Sequence, residues 1–296
     1  MNTNPLMPKR RIARTAPPFL VLCATVVATL AVSAPANGAG GRTEITLSAE
    51  PGELDLIPLP CFPSTIQATM TNTGPEPRFA DMTLTAEEPL SLSRDIFSSY
   101  LPATNPDQPV SATVEVRADR DTPPGTYDVL LEQGRQRLSV PVHVRQIPPK
   151  GPGDNLAWGE EAFASSTHGN FSVCGGVDGN TNQAQWDTHT GWNDGTPAVF
   201  PDTYGVRLPE ERHVDEVETL TLDSASYPAS RFGLRDWDVQ VLDDGQWQTV
   251  AEVRGNTSGL VTTRFEPTTA EAVRLLIHNS NDARYSRVME LEVSGG

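Results

Sequence analysis

Between Gly175 and Trp192 the chain reads GGVDGNTNQAQWDTHTGW, with two tryptophans and almost no aliphatic residue. Such a stretch is neither a helix nor a central strand. Asp178, Gly179 and Asn180 place carboxylate, carbonyl and amide oxygens around a residue free to adopt positive φ. Two readings follow: an oxygen-lined loop that takes a hard cation, and an ordinary Asx-type surface turn. Reactive constellations are missing elsewhere. The chain has no Gly-x-Ser-x-Gly elbow, no His-Glu-x-x-His and no phosphate loop, although its many acidic residues leave a glycosidase pair as the rival chemistry.

The elements that must hold such loops are strands. A chain of 296 residues, 37% hydrophobic, is long enough for two domains of ordinary size. Ile45–Leu47, Thr65–Met70, Met82–Leu84, Ser111–Val116, Tyr127–Leu130 and Leu138–Val142 mostly alternate apolar with polar residues. Turns such as Asn72-Thr73-Gly74-Pro75 and Thr122-Pro123-Pro124-Gly125 separate them. About seven short strands in a hundred residues predict an antiparallel sandwich over 43–146. Ile147-Pro148-Pro149-Lys150-Gly151-Pro152-Gly153 predicts a short, stiff linker over 147–153. From 154 to 296 strands are expected at Val217–Leu222, Asp236–Val241, Gln246–Val250, Val273–His278 and Met289–Val293. In the second of these Trp237, Val239 and Val241 share one face, and Asp236, Asp238 and Gln240 the other. The fold class expected is all-β, two sandwiches in tandem.

The first 39 residues read as an export signal: Lys9, Arg10, Arg11 and Arg14, an apolar run from Phe19 to Ala34, then small residues around Ala36-Asn37-Gly38-Ala39. The run is too short to span a bilayer, and no other stretch comes near the length needed, so a secreted protein without a membrane span is expected. Losing four cationic residues takes the formal charge from -16 to about -20. That surface repels phosphate backbones and anionic headgroups, which argues against nucleic acid as a partner. Of the three cysteines, Cys23 leaves with the signal. Cys61 and Cys174 either pair in an oxidising compartment or stay as buried thiols.

Thr71-Asn72-Thr73-Gly74, Val114-Glu115-Val116 and Pro124-Gly125-Thr126-Tyr127 give the first module an order that resembles the Ig-like NEW-type domain found beside α-galactosidase catalytic domains. The resemblance implies a spacer or packing role. In the second module the ordered set is Asn155-Leu156-Ala157, Ala164-Ser165-Ser166-Thr167, Val177-Asp178-Gly179-Asn180 with Trp186, Asp236–Val241, Gln246-Trp247, Tyr285-Ser286-Arg287 and Glu290–Val293. From Asn155 to Val293 it resembles coagulation factor V/VIII type C (discoidin) domains, most of all the bacterial family 32 carbohydrate-binding modules.

That resemblance implies a galactose-binding-like jelly roll with sugar held in loops at one end, and often a structural calcium. Its calcium ligands would be a carbonyl from Gly175 or Gly176, the Asp178 carboxylate, oxygen from Asn180, and Glu290 from the last strand. Ala184 departs from the family pattern, which has Thr or Ser two residues before the loop tryptophan. Sugar recognition needs an aromatic face and planar polar groups. Among the loop residues, Trp192 is expected as the platform, with His168, Arg231 and Asn279 as polar contacts. Trp186, Trp237 and Trp247 are assigned to the core, and Arg287 to an ion pair. The whole then reads as a monomeric, non-catalytic protein that binds galactose-type or related sugars of a polysaccharide or glycoconjugate. An accessory part of a glycoside hydrolase and an adhesion or protein-binding discoidin protein are the alternatives.

Overall fold

The structure, a computed structural model, describes residues 44–103 and 108–296. The expected export signal at 1–39 lies outside the described residues. Among the described residues no helix is long and apolar enough to cross a membrane.

Among the described residues nine strands build the first sandwich: β1 (Ile45–Glu50), β2 (Leu54–Leu56), β3 (Ser64–Asn72), β4 (Arg78–Ala86), β5 (Leu90–Leu92), β6 (Ile96–Leu101), β7 (Val110–Ala118), β8 (Gly125–Gln133) and β9 (Gln136–Val144). A four-stranded sheet, β1-β3-β7-β5, faces a five-stranded one, β2-β9-β8-β4-β6. Period-two alternation makes the layers. In β3, Ile66, Ala68 and Met70 are buried while Thr65 and Gln67 are exposed. With Met82, Val114, Val116, Val129, Leu131 and Val142 they fill one core. Sequence reading missed β2, β5 and β6. The first two are only three residues long, and β6 is an edge strand that turns Ile96 and Tyr100 to solvent.

Seven strands build the second sandwich: β10 (Glu161–Ala164), β11 (Trp192–Asn193), β12 (Asp202–Thr221), β13 (Leu234–Asp243), β14 (Gln246–Val253), β15 (Leu260–Ser280) and β16 (Arg287–Ser294). They run in the order β11-β16-β12-β15-β13-β14, with β10 added to β12. The two long strands serve both layers. The β12–β15 register slips between Arg207 and Arg212 and again between Val214 and Glu216, and bulges there bend the ribbon back on itself. The enclosed core includes Trp192, Tyr204, Trp237, Leu275, Ile277, Val288 and Leu291. A satellite cluster of Trp186, Leu222 and Met289, with Phe171, Tyr227 and Phe232 against it, underlies the loops.

The expected linker is packed in place. Lys150 Nζ donates to the carbonyls of Leu156 (2.9 Å) and Trp158 (3.2 Å) and meets Glu160 Oε1 at 3.2 Å. Arg120 of the first sandwich pairs with the same Glu160. Cys61 N–H donates to Gly159 O at 3.0 Å, and the Phe62 and Trp158 rings meet at a tilt with centroids 4.8 Å apart. Cys61 and Cys174 are joined by a disulfide with a Cα–Cα distance of 5.2 Å. Of the two fates open to these cysteines, the structure shows the bridge, and Cys61 packs into the core of the second sandwich. Residues 43–296 are accordingly one compact unit.

Candidate functional site

At the loop end, rings follow one another across four connections, from buried Trp186 through half-buried His168, Phe171, Tyr227, Phe232 and Tyr285 to exposed His189. His168 meets Phe171 (centroids 5.9 Å) and Tyr285 (6.5 Å) edge-on, and Phe171 in turn meets Trp186 (4.7 Å) and His189 (5.2 Å). Phe232, 5.4 Å from Tyr227, closes the other side. The Arg287 guanidinium joins the halves, 5.3 Å from the Tyr285 ring and 5.7 Å from Phe232. It is held there by Asp282 Oδ2 (2.8 Å) and the Phe232 carbonyl (2.8 Å). Burial works against the Asp282 charge, but the Arg287 and Ser280 hydrogen bonds keep its carboxyl below the usual range. Exposed polar groups rim the rings: Arg231 over Phe232 at 5.1 Å, Arg284 over Tyr285 at 5.7 Å, and Asp187, which accepts from Tyr227 Oη at 3.1 Å.

Beneath the rings a buried acidic pair fixes the loops. Asp194 accepts the backbone N–H of Ser286 (2.6 Å) and of Thr196 (2.7 Å). Asp202 accepts the hydroxyls of Ser286 (2.7 Å) and Ser165 (3.3 Å). Burial raises both carboxyls, and with Asp194 adding to the effect Asp202 is pushed up to about 6. Their role is to position three loops, a role that only their spatial convergence reveals.

Asp178 and Glu290 converge on the other side of the glycine-rich turn. Gly175 ends against the Gly191 carbonyl, so close that a Cβ there would lie 2.1 Å from that oxygen. Gly179, at φ +80, lets the turn pass under Trp158. Its N–H donates to Glu290 Oε1 at 3.1 Å, while Glu290 Oε2 is sealed from solvent with no partner. Burial first, then the nearby Asp178 charge, pushes Glu290 up to about 8; burial also raises Asp178. Asn180 uses its amide locally, accepting from Asn182 N–H and donating to Gln185. Two desolvated carboxyls with an orphaned oxygen fit a hard cation chemically.

The polar residues expected to contact sugar are dispersed in part. His168 and Arg231 both belong to the ring array, whereas Asn279 lies across from Asp236 and its amide oxygen accepts the Ser280 N–H. Trp192 corrects the expectation of a platform. It is fully buried, stacked on Tyr204 at 4.7 Å, and its indole N–H donates to Ser166 O and Thr167 Oγ1, so no ring face is left for a ligand. Trp247 corrects the opposite way, lying half-buried on the outer face of the sheet beside Phe163. Trp186 and Trp237 are buried as expected, and Arg287 has its acid in Asp282. Sequence reading passed over Phe171, Asp187 and Asp282. Phe171, a lone aromatic in a polar loop, was the one signal available. A cavity of about 380 Å³ opens where the sandwiches join, between Lys150, Arg120 and Arg212, and none of the loop-end residues lines it.

Residues 175–275 match the F5/8 type C family model described as NedA-like, galactose-binding domain. Within the second sandwich, residues 175–275 are therefore similar to an F5/8 type C, galactose-binding-like domain. No curated protein matches the chain. Solved structures similar to it include chitosan-binding module 1 of a chitosanase/glucanase from Paenibacillus sp. IK-5 (24% identity over 48% of this chain and 98% of that one, TM-score 0.40). A family 32 module of Clostridium perfringens NanJ, in complex with galactose, is 20% identical over 45% of this chain and 91% of that one, with a TM-score of 0.38. A fucose-binding module of Streptococcus pneumoniae is 20% identical over 51% of this chain and all of that one, with a TM-score of 0.42.

Proposed function

We propose that the chain is an exported, non-catalytic, monomeric carbohydrate-binding protein whose loop end takes a galactose-type or related neutral saccharide of a polysaccharide or glycoconjugate. The observation that carries this reading is the ring array of His168, Phe171, Tyr285 and Phe232, rimmed by Arg231, Arg284 and Asp187, on a domain that matches a galactose-binding family. Half-buried rings supply apolar faces for the C–H side of a pyranose, and the rim supplies planar donors and acceptors for its hydroxyls. Calcium belongs to the proposal as a structural ion. Asp178 and Glu290 would hold it with a carbonyl from Gly175 or Gly176, and Asn180 would help shape the loop. Bound there, it would neutralise two buried charges and tie the turn to β16. The first sandwich, with its NEW-type likeness, would serve as a packed spacer.

A glycan array probed with and without chelator tests the reading. Retention on galactose-terminated or related neutral glycans is expected, with His168→Ala and Arg231→Ala each weakening it about tenfold, the loss of one good polar contact. Retention of no neutral glycan, or turnover of aryl glycosides that disappears on mutating a single acid, would defeat it.

A further inference from the structure

The outer face of the second sandwich carries a row of side chains that neither its core nor its loop end uses. Register places Phe163 of β10 opposite Gly205 of β12, Gly205 opposite Arg274 of β15, Arg274 opposite Gln240 of β13, and Gln240 opposite Thr249 of β14. Gly205 is required in this row, because a Cβ there would lie 2.7 Å from the Phe163 ring and 2.5 Å from the Val273 carbonyl. The Arg274 guanidinium lies 4.0 Å from the centre of the Trp247 indole, and Nε donates to Gln240 Oε1 at 2.8 Å. Gln240 Nε2 passes the chain on to Thr249 Oγ1 at 3.0 Å. Arg207 stands beside it, 5.4 Å from the Phe163 ring.

Arg274 has no acid. Among the described residues Arg94, Arg135, Arg231 and Arg284 also lack one, but those four are exposed, whereas Arg274 is partly desolvated and its pKa is lowered by burial alone. Among the described residues its two terminal nitrogens donate to no protein atom, and neither is sealed from solvent. The carboxylate one strand over, Asp238, is committed to Arg254 (2.6 Å) and His278 (3.0 Å). Glu161 stands 3.9 Å from Arg207, and both are more than half exposed. In a chain of formal charge -16, a guanidinium preset by an indole and an amide, with its fork left free, is an anion receptor.

We propose that this face is a second ligand site, in which Arg274, flanked by Arg207, binds the carboxylate of an acidic saccharide of the uronate type. The strongly acidic surface disfavours dense polyanions such as nucleic acid or anionic bilayers, so the fitting ligand carries its carboxylates singly, one to a sugar ring, along an otherwise neutral body. The exposed Thr249 hydroxyl and the edges of Phe163 and Trp247 supply the polar and apolar contacts a sugar ring offers in return, while the buried Gln240 amide holds Arg274 in place. The site shares no residue with the loop end and stands whether or not that end binds sugar.

Isothermal titration with trigalacturonate, its methyl ester and sodium acetate tests the proposal. Trigalacturonate is expected to bind, the ester and acetate at least tenfold more weakly. Arg274→Gln should lose at least tenfold while Arg231→Ala at the loop end changes nothing. Should Arg274→Gln fail to fold, Arg207→Gln on the exposed rim carries the same comparison with a smaller loss. No binding of trigalacturonate, equal binding of the ester, equal binding of acetate, or loss on Arg231→Ala in place of the sheet-face variants would each overturn the assignment.

Discussion

Glu290 keeps its proton in the fold up to about pH 8, whereas the same carboxyl in the unfolded chain releases it near 4.5. The native state therefore binds more protons than the unfolded one through that window, and stability falls as pH rises across it. Asp202, raised to about 6, contributes the same sign at lower pH, and burial raises Asp178, Asp194 and Glu292 in the same sense, so the Glu290 share of the slope is the part that a Glu290 variant removes. In chelator, thermal melts should show Tm dropping from pH 6 to 8, and Glu290→Gln should flatten that drop. If the proposed ion binds, millimolar calcium should raise Tm at pH 8 by on the order of 5 °C, less at pH 6, and not at all in Glu290→Gln. A flat wild-type profile in chelator would remove the physical basis for the site.

Single elements decided what the sequence could and could not disclose. β13 was legible because Trp237, Val239 and Val241 alternate cleanly and all three are buried in the core. Its hairpin partner was legible as a strand, expected at Gln246–Val250 and found at Gln246–Val253, but the facing of its side chains was not. A bulge between Val239 and Gln240 inserts one residue into β14, so Ala251 and Val253 face inward while Thr249 and Trp247 are carried to the opposite side. A one-residue slip reverses every side chain beyond it, and alternation read from Gln246 onward cannot reveal that. Trp192 failed for the converse reason. The polar residues around it suggest a surface loop, yet two residues of β11 pairing with Val288 and Arg287 suffice to tuck the indole inside. The turn before β11 allows a sharper test. Gly175→Ala would push a methyl group into the Gly191 carbonyl and should cost about 1–3 kcal/mol, read as a lower urea midpoint at unchanged m. An unchanged midpoint would mean the two backbones are not in contact.

On the scale of the whole molecule the sequence promised two modules and a stiff connector. What it concealed was how closely the connector is held. Pro148 and Pro149 mark a break, but nothing in the spacing tells that Lys150 is drawn under Leu156 and Trp158, or that Cys61 reaches Cys174. Such convergence depends on contacts 113 residues apart in the chain. Closing a loop of that length removes much freedom from the unfolded chain. Cys61→Ser with Cys174→Ser should lower stability by about 2–5 kcal/mol in denaturant melts, and reductant should do the same to the parent protein. A double variant as stable as the parent would show that the noncovalent contacts around Glu160 suffice.

The covalent bond between the halves also has a mechanical meaning. A molecule tethered through a glycan at one end and tugged by flow at the other would pass the load through sulfur, with no need for the proline segment to stretch. The two lobes would then pull as a single lever in oxidising surroundings, and wherever thiols prevail the load would fall on the ion pairs and ring contact around Glu160 and Trp158.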